Sequence, residues 1–155
     1  MKRITLTLTA LAVFLFAVAA SAAQTKIFEK YETVRQALLK GSVDEAQAAA
    51  RTLAETARAE KQNAIAERAS ALAASANLKG ARDSFAMLSE EVIRFRDARS
   101  GDRPEVVYCS MHKASWLQPK GAITNPYADD KSMLACGEVR KDKPAPSAPV
   151  HHGHH

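Results

Sequence analysis

Residues 83–95, D-S-F-A-M-L-S-E-E-V-I-R-F, place Phe85, Leu88, Val92 and Phe95 at steps of three, four and three. That is the spacing of one buried face of an α-helix, and it is the strongest apolar stripe in the chain. Asp83 suits the cap of such a helix, Ser100-Gly101 its end, and Pro104 discourages a restart. The two phenylalanines therefore read as core rather than as a ligand surface.

Toward the N-terminus the same spacing recurs more weakly. Ile27, Tyr31, Val34 and Leu38 predict a helix over Thr25 to Lys40, and Gly41 fits the left-handed position just past its end. Ser42 and Glu45 form a Ser-x-x-Glu capping box that opens a second helix running to about Lys61, with Ala46, Ala50, Leu53 and Ala57 on its inner face. An unbroken helix from 43 to 78 would be about 54 Å long, far longer than its partners, so a turn is expected near Asn63. Ile65, Ala69, Leu72 and Ala76 continue as a third stripe, closed by Asn77-Leu78-Lys79-Gly80. Four amphipathic segments with short connections predict an all-α, up-and-down four-helix bundle over residues 23–100. Its alanine faces bury little area each, which at roughly 25 cal/mol per Å2 leaves the bundle thinly stabilised.

The ends of the chain have a different character. Residues 1–22 read as a signal peptide: Lys2 and Arg3, an apolar run from Ile4 to Ala19, then Ala20-Ser21-Ala22 as a cleavage pattern. No later apolar run is long enough to span a bilayer, so the expectation is a soluble periplasmic protein without a membrane span after cleavage. Removing Lys2 and Arg3 lowers the formal charge from +5 to +3, because residues 1–22 contain no acid. Arg51, Arg58, Lys61 and Arg68 alternate with Glu45, Glu55, Glu60 and Glu67, as on a solvated helical face, and nucleic acid is not an expected partner. Residues 141–155 form a Pro-rich tail, read as a disordered linker, that ends in His151, His152, His154 and His155. Those imidazoles suit Cu(II), Ni(II) or Zn(II) as a collector of low selectivity.

Residues 101–140 complete the division: a C-terminal, Cys/Met-containing irregular loop segment packed on the bundle. Val106-Val107-Tyr108 is a short β-favouring run leading into Cys109. Pro119, Gly121, Asn125 and Pro126 punctuate the next stretch, so Lys113 to Asp130 reads as an ordered loop pinned by Trp116, and Ser132 to Gly137 as one helical turn. The segment holds Cys109, Met111 and His112 in one cluster and Met133 and Cys136 in another. Thiolate, thioether and imidazole are the donors that suit Cu(I). The same two cysteines taken alone, in an exported chain, favour a disulfide that staples a loop, with the methionines as packing residues.

Tyr108-Cys109-Ser110-Met111-His112, Trp116-Leu117, Asn125-Pro126-Tyr127 and Met133-Leu134-Ala135-Cys136-Gly137, with Arg82-Asp83-Ser84-Phe85 before them, resemble domain of unknown function 3347. That family of exported bacterial domains recurs near or fused to copper and silver efflux membrane-fusion proteins. The resemblance covers roughly residues 25–140 and is most specific over 82–137. Ser110 stands where the family has proline, and Ala128-Asp129-Asp130 replaces an aromatic-glycine step, departures that bear on loop geometry. The resemblance implies a helical bundle in a metal-resistance setting, with a periplasmic efflux adaptor as a partner.

Two functions are compatible with this reading. The first is a periplasmic Cu(I)/Ag(I) binding protein, with Cys109, Met111, His112, Met133 and Cys136 as the ligand pool, a copper ion as cofactor, and the His tail as collector. The alternative is a disulfide-stapled interaction module that docks on an envelope or efflux protein without holding metal. An enzyme is not expected: Cys-x-x-Cys and Gly-rich phosphate motifs are missing, and Cys109 with His112 has no third group to orient it.

Overall fold

The apolar stripes become four helices: α1 over residues 26–39, α2 (Val43–Ala59), α3 (Asn63–Ala73) and α4 (Leu78–Asp97). The computed structural model describes residues 26–99 and 102–141, so the expected signal peptide and the tail histidines lie outside the described residues. Ile27, Tyr31, Val34 and Leu38 of α1, Ala46, Ala50, Leu53 and Ala57 of α2, and Phe85, Leu88, Val92 and Phe95 of α4 are all buried. Tyr31 stacks on Phe85 at 5.0 Å between ring centroids, and Phe28 meets Phe95 edge-on at 5.8 Å, which sets α1 against α4. Helix α3 packs on both α2 and α4. The result is the expected all-α four-helix bundle. None of the described helices is long and apolar enough to cross a membrane.

Both early connections use the same backbone device. Gly41 donates its N–H to Leu38 and Ser42 to Ala37, closing α1 with glycine at a φ of 71°. The turn expected near Asn63 is built identically, Lys61 donating to Arg58 and Gln62 to Ala57. Here a lysine adopts φ 57°, so the stop carries no glycine to announce it. Only half of the expected capping box forms. Ser42 Oγ accepts the Glu45 N–H at 3.3 Å, but the Ser42 N–H is already bound to Ala37, and the Glu45 carboxylate turns to Lys40 instead.

The third connection differs from expectation. Helix α3 ends at Ala73, leaving Ala76 exposed, and α4 begins at Leu78 rather than near Asp83. Asn77 is the cap, its Oδ1 accepting the Gly80 N–H at 2.9 Å. Gly80 therefore belongs to the first turn of α4 and does not terminate α3. Asp83, one turn on, pairs with Lys79 at 2.8 Å.

Beyond the bundle the segment is more regular than the expected loop. Strands β1 (Glu105–Cys109) and β2 (Ala114–Gln118) form an antiparallel hairpin, and β3 (Glu138–Val139) pairs on the other side of β1, giving the order β2-β1-β3. The register sets Val107 opposite both Trp116 and Val139, and Cys109 opposite Ala114. Residues 114–118 are a strand and not part of a loop: alanine and serine have little intrinsic strand preference, and it is the pairing with β1 that makes the strand. The expected helical turn is a 3-10 turn over Lys131–Met133.

Candidate functional site

Cys109 and Cys136 are joined in a disulfide, with Cα atoms 5.8 Å apart. Cys109 ends β1 on the face that also carries Val107, and both are fully buried. Cys136 is half-buried and reaches the bridge through a tight turn in which its N–H donates to the Met133 carbonyl at 3.0 Å. Gly137 is next, and a Cβ there would lie 2.8 Å from Val107 Cγ1 and 2.9 Å from Trp116 Cη2. Val107 and Trp116 are fully buried and have nowhere to retreat. Gly137→Ala is accordingly expected to cost about 1–3 kcal/mol by overpacking, read as a lower urea midpoint at unchanged slope.

His112 sits in the hairpin turn beside the bridge. Its Nδ1 lies 3.4 Å from Cys109 Sγ and 3.3 Å from Asn125 Nδ2. The Asn125 amide is oriented by its other end, since Oδ1 accepts the Tyr127 N–H at 2.9 Å. Its NH2 group must then be the donor toward His112, which makes Nδ1 an acceptor and puts the ring proton on Nε2. Asn125 thus supplies the orienting group that the sequence alone does not reveal. It acts on the same nitrogen that faces the sulfur, and that sulfur is bonded to Cys136.

Two arginines and a cluster of aromatic rings fasten this region to the bundle. Arg35 of α1, itself paired with Glu32, donates to the Thr124 carbonyl and hydroxyl at 2.7 Å each. Arg82 of α4 donates to the Pro126 carbonyl at 3.1 Å, to the Ala128 carbonyl, and to Asp129 at 2.6 Å. Between these clamps Tyr127 approaches Phe85, Trp116 and His112, with ring centroids 5.8, 5.9 and 6.1 Å away. Trp116 is fully buried, its Nε1–H donating to Gln118 Oε1 at 3.0 Å, as a residue pinning this segment should be. Tyr31 bonds Ser89 Oγ at 2.7 Å and accepts the Leu117 N–H at 3.2 Å, tying α1 to β2. Arg35 and Gln118 carry no signal in the sequence, and Asn125 shows there only as a turn residue, because the partners of each are set by the fold.

Burial pushes the phenols of Tyr31 and Tyr127 well above the ordinary tyrosine range. The unfolded chain ionises these groups near pH 10 while the folded chain holds their protons, so the unfolded state binds fewer protons and stability falls as pH rises. The expected slope is about 1.4 kcal/mol per pH unit for each phenol above pH 10. Urea midpoints between pH 9 and 11 check it, and Tyr31→Phe should remove one group's share.

The remaining ligand candidates are the two methionines and the tail histidines. Met111 is 72 % exposed at the hairpin tip, and Met133 is half-buried, with its carbonyl 3.4 Å from Asn125 Nδ2. His151, His152, His154 and His155 lie outside the described residues. Disulfide sulfur is not thiolate and does not offer the expected ligand. With the two sulfurs bonded to each other, no group of three His, Cys, Asp or Glu is placed to hold a metal ion among the described residues.

Residues 27–101 match the family described as Protein of unknown function (DUF3347). The helical part of the chain is thus similar to the DUF3347 family. The match takes in 75 of the 155 residues and ends before either cysteine. It overlaps the expected motif-bearing stretch, 82–137, only up to residue 101, and rests instead on the helices whose resemblance was one of general character. No curated protein and no solved structure matches the chain.

Proposed function

We propose that the protein is an exported, disulfide-closed helical module that docks on another envelope protein and holds no metal in its oxidised form. The observation that supports this reading over a resident copper ion is the Cys109–Cys136 bond, which consumes both thiol donors of the expected ligand pool. A bridge across a sequence separation of 27 suits a small domain whose helix α2 buries mainly alanine. The partner class to which the family resemblance points is a periplasmic efflux adaptor.

The test is made in cells. A photoreactive phenylalanine analogue replaces Met111, 72 % exposed at the hairpin tip, or Met87, 42 % exposed on α4. Irradiation is expected to crosslink the protein to an efflux adaptor from at least one of these positions. Absence of any adaptor adduct from both would overturn the partner assignment. Oxidised protein lacking the tail histidines is expected to take no Cu(I) from a competing chelator, and stoichiometric uptake in that state would restore the metal-binding reading.

A further inference from the structure

We infer that the bridge is a latch over a soft-cation site: reduction of Cys109–Cys136 exposes a two-sulfur, one-nitrogen chelate for a single Cu(I), with His112 Nδ1 as the third donor. The geometry that carries this is the placement of His112. Its Nδ1 stands 3.4 Å from Cys109 Sγ and accepts from the Asn125 amide, which is fixed by the Tyr127 N–H, so the nitrogen beside the sulfur is the one that carries the lone pair, and a bound ion would take that lone pair over from Asn125. Two thiolates and an imidazole form a donor set for a soft monovalent ion rather than for an oxygen-seeking one.

The chemistry balances with a dithiol as reductant. One thiolate of the dithiol attacks Cys136 Sγ, the less buried sulfur, and Cys109 leaves as thiolate beside His112. The second thiol of the dithiol then displaces Cys136, closing the reductant's own disulfide, so two electrons pass to the protein. Cu(I) binding afterwards releases the protons carried by the two thiols. The sheet pairing of β1 with β2 and β3 and the Arg35 and Arg82 clamps do not involve the sulfurs, so the segment remains in place for rebinding.

This inference goes beyond the docking role, and each stands if the other fails. It is tested on purified exported protein with His151, His152, His154 and His155 replaced by alanine, reduced, freed of reductant without oxygen, and titrated with Cu(I) against a chromogenic chelator. The expected result is one Cu(I) per chain in the reduced form, none in the oxidised form, and an ultraviolet sulfur-to-copper absorption that appears with binding. His112→Gln should weaken the reduced site by at least about tenfold, within the range that loss of a positioned group costs a metal centre. Far-ultraviolet circular dichroism on the same samples separates a folded site from a collapsed chain. No uptake after reduction, equal affinity in His112→Gln, or binding accompanied by loss of the helical signal would each overturn the proposal. Tighter binding of Zn(II) than of Cu(I) would overturn the assignment of the ion.

Discussion

Trp116→Ala is expected to destabilise the protein by about 3–5 kcal/mol, the range for removing a large aromatic side chain from a closed core. Trp116 is fully buried, contacts Tyr127 edge-on at 5.9 Å and satisfies its Nε1–H on Gln118, which also accepts the Thr124 N–H at 3.2 Å. Truncation therefore leaves a cavity where the sheet meets the bundle and also deprives Gln118 of a donor. Helix α2 adds little to offset this, because it buries four alanines and a single leucine. Equilibrium urea denaturation followed by circular dichroism gives the value. A loss below about 1 kcal/mol would mean that the sheet is not integrated with the helices.

Replacing Cys109 and Cys136 together by alanine is expected to cost roughly 3.5 kcal/mol, the loop-closure entropy returned to the unfolded chain when a link across about 28 residues is removed. Alanine avoids burying a hydroxyl at position 109, which is fully inaccessible. For a small domain with a total stability of about 5–15 kcal/mol, this is a large fraction. The same shift should accompany reduction of the wild-type protein. If the double variant unfolds at the wild-type urea concentration, the bridge is dispensable for the fold.

The parts of this structure that are legible in the sequence are those governed by local periodicity. Phe85, Leu88, Val92 and Phe95 declare their helix face, as do Ile27, Tyr31, Val34 and Leu38, because a helix of 3.6 residues per turn leaves no other way to bury them together. The start of α4 is misplaced by sequence reasoning because Asn77 and Gly80 are as compatible with ending one helix as with opening the next; the Oδ1 bond to the Gly80 N–H decides it. Strand β2 is hidden for a different reason. Ala114 and Ser115 have weak strand preference, and the pairing of Ala114 with Cys109 and of Trp116 with Val107 is a property of two segments, not of one.

The site is legible in its ingredients and not in its arrangement. Cys109, His112 and Cys136 stand out by residue type, and the structure does bring these three together, whereas Met111 projects from the hairpin tip. Two readings of the cysteines are open to the sequence, since nothing in a linear spacing distinguishes a pair of thiolate ligands from a bridge. The Cα separation of 5.8 Å, imposed when the turn before β3 returns to the end of β1, favours the bridge. Asn125 shows in the sequence only as a turn residue, and Gln118 and Arg35 leave no signal, because the partners that give them their roles are brought to them by the fold.

The most direct test of the central claim is a thiol count on the protein isolated from the cell envelope, unfolded in urea and alkylated before any reductant is added. The account predicts that no cysteine is alkylated, that both are after reduction, and that proteolysis of the unreduced chain yields one peptide pair linked through Cys109 and Cys136. Two alkylated cysteines in the unreduced protein would contradict it.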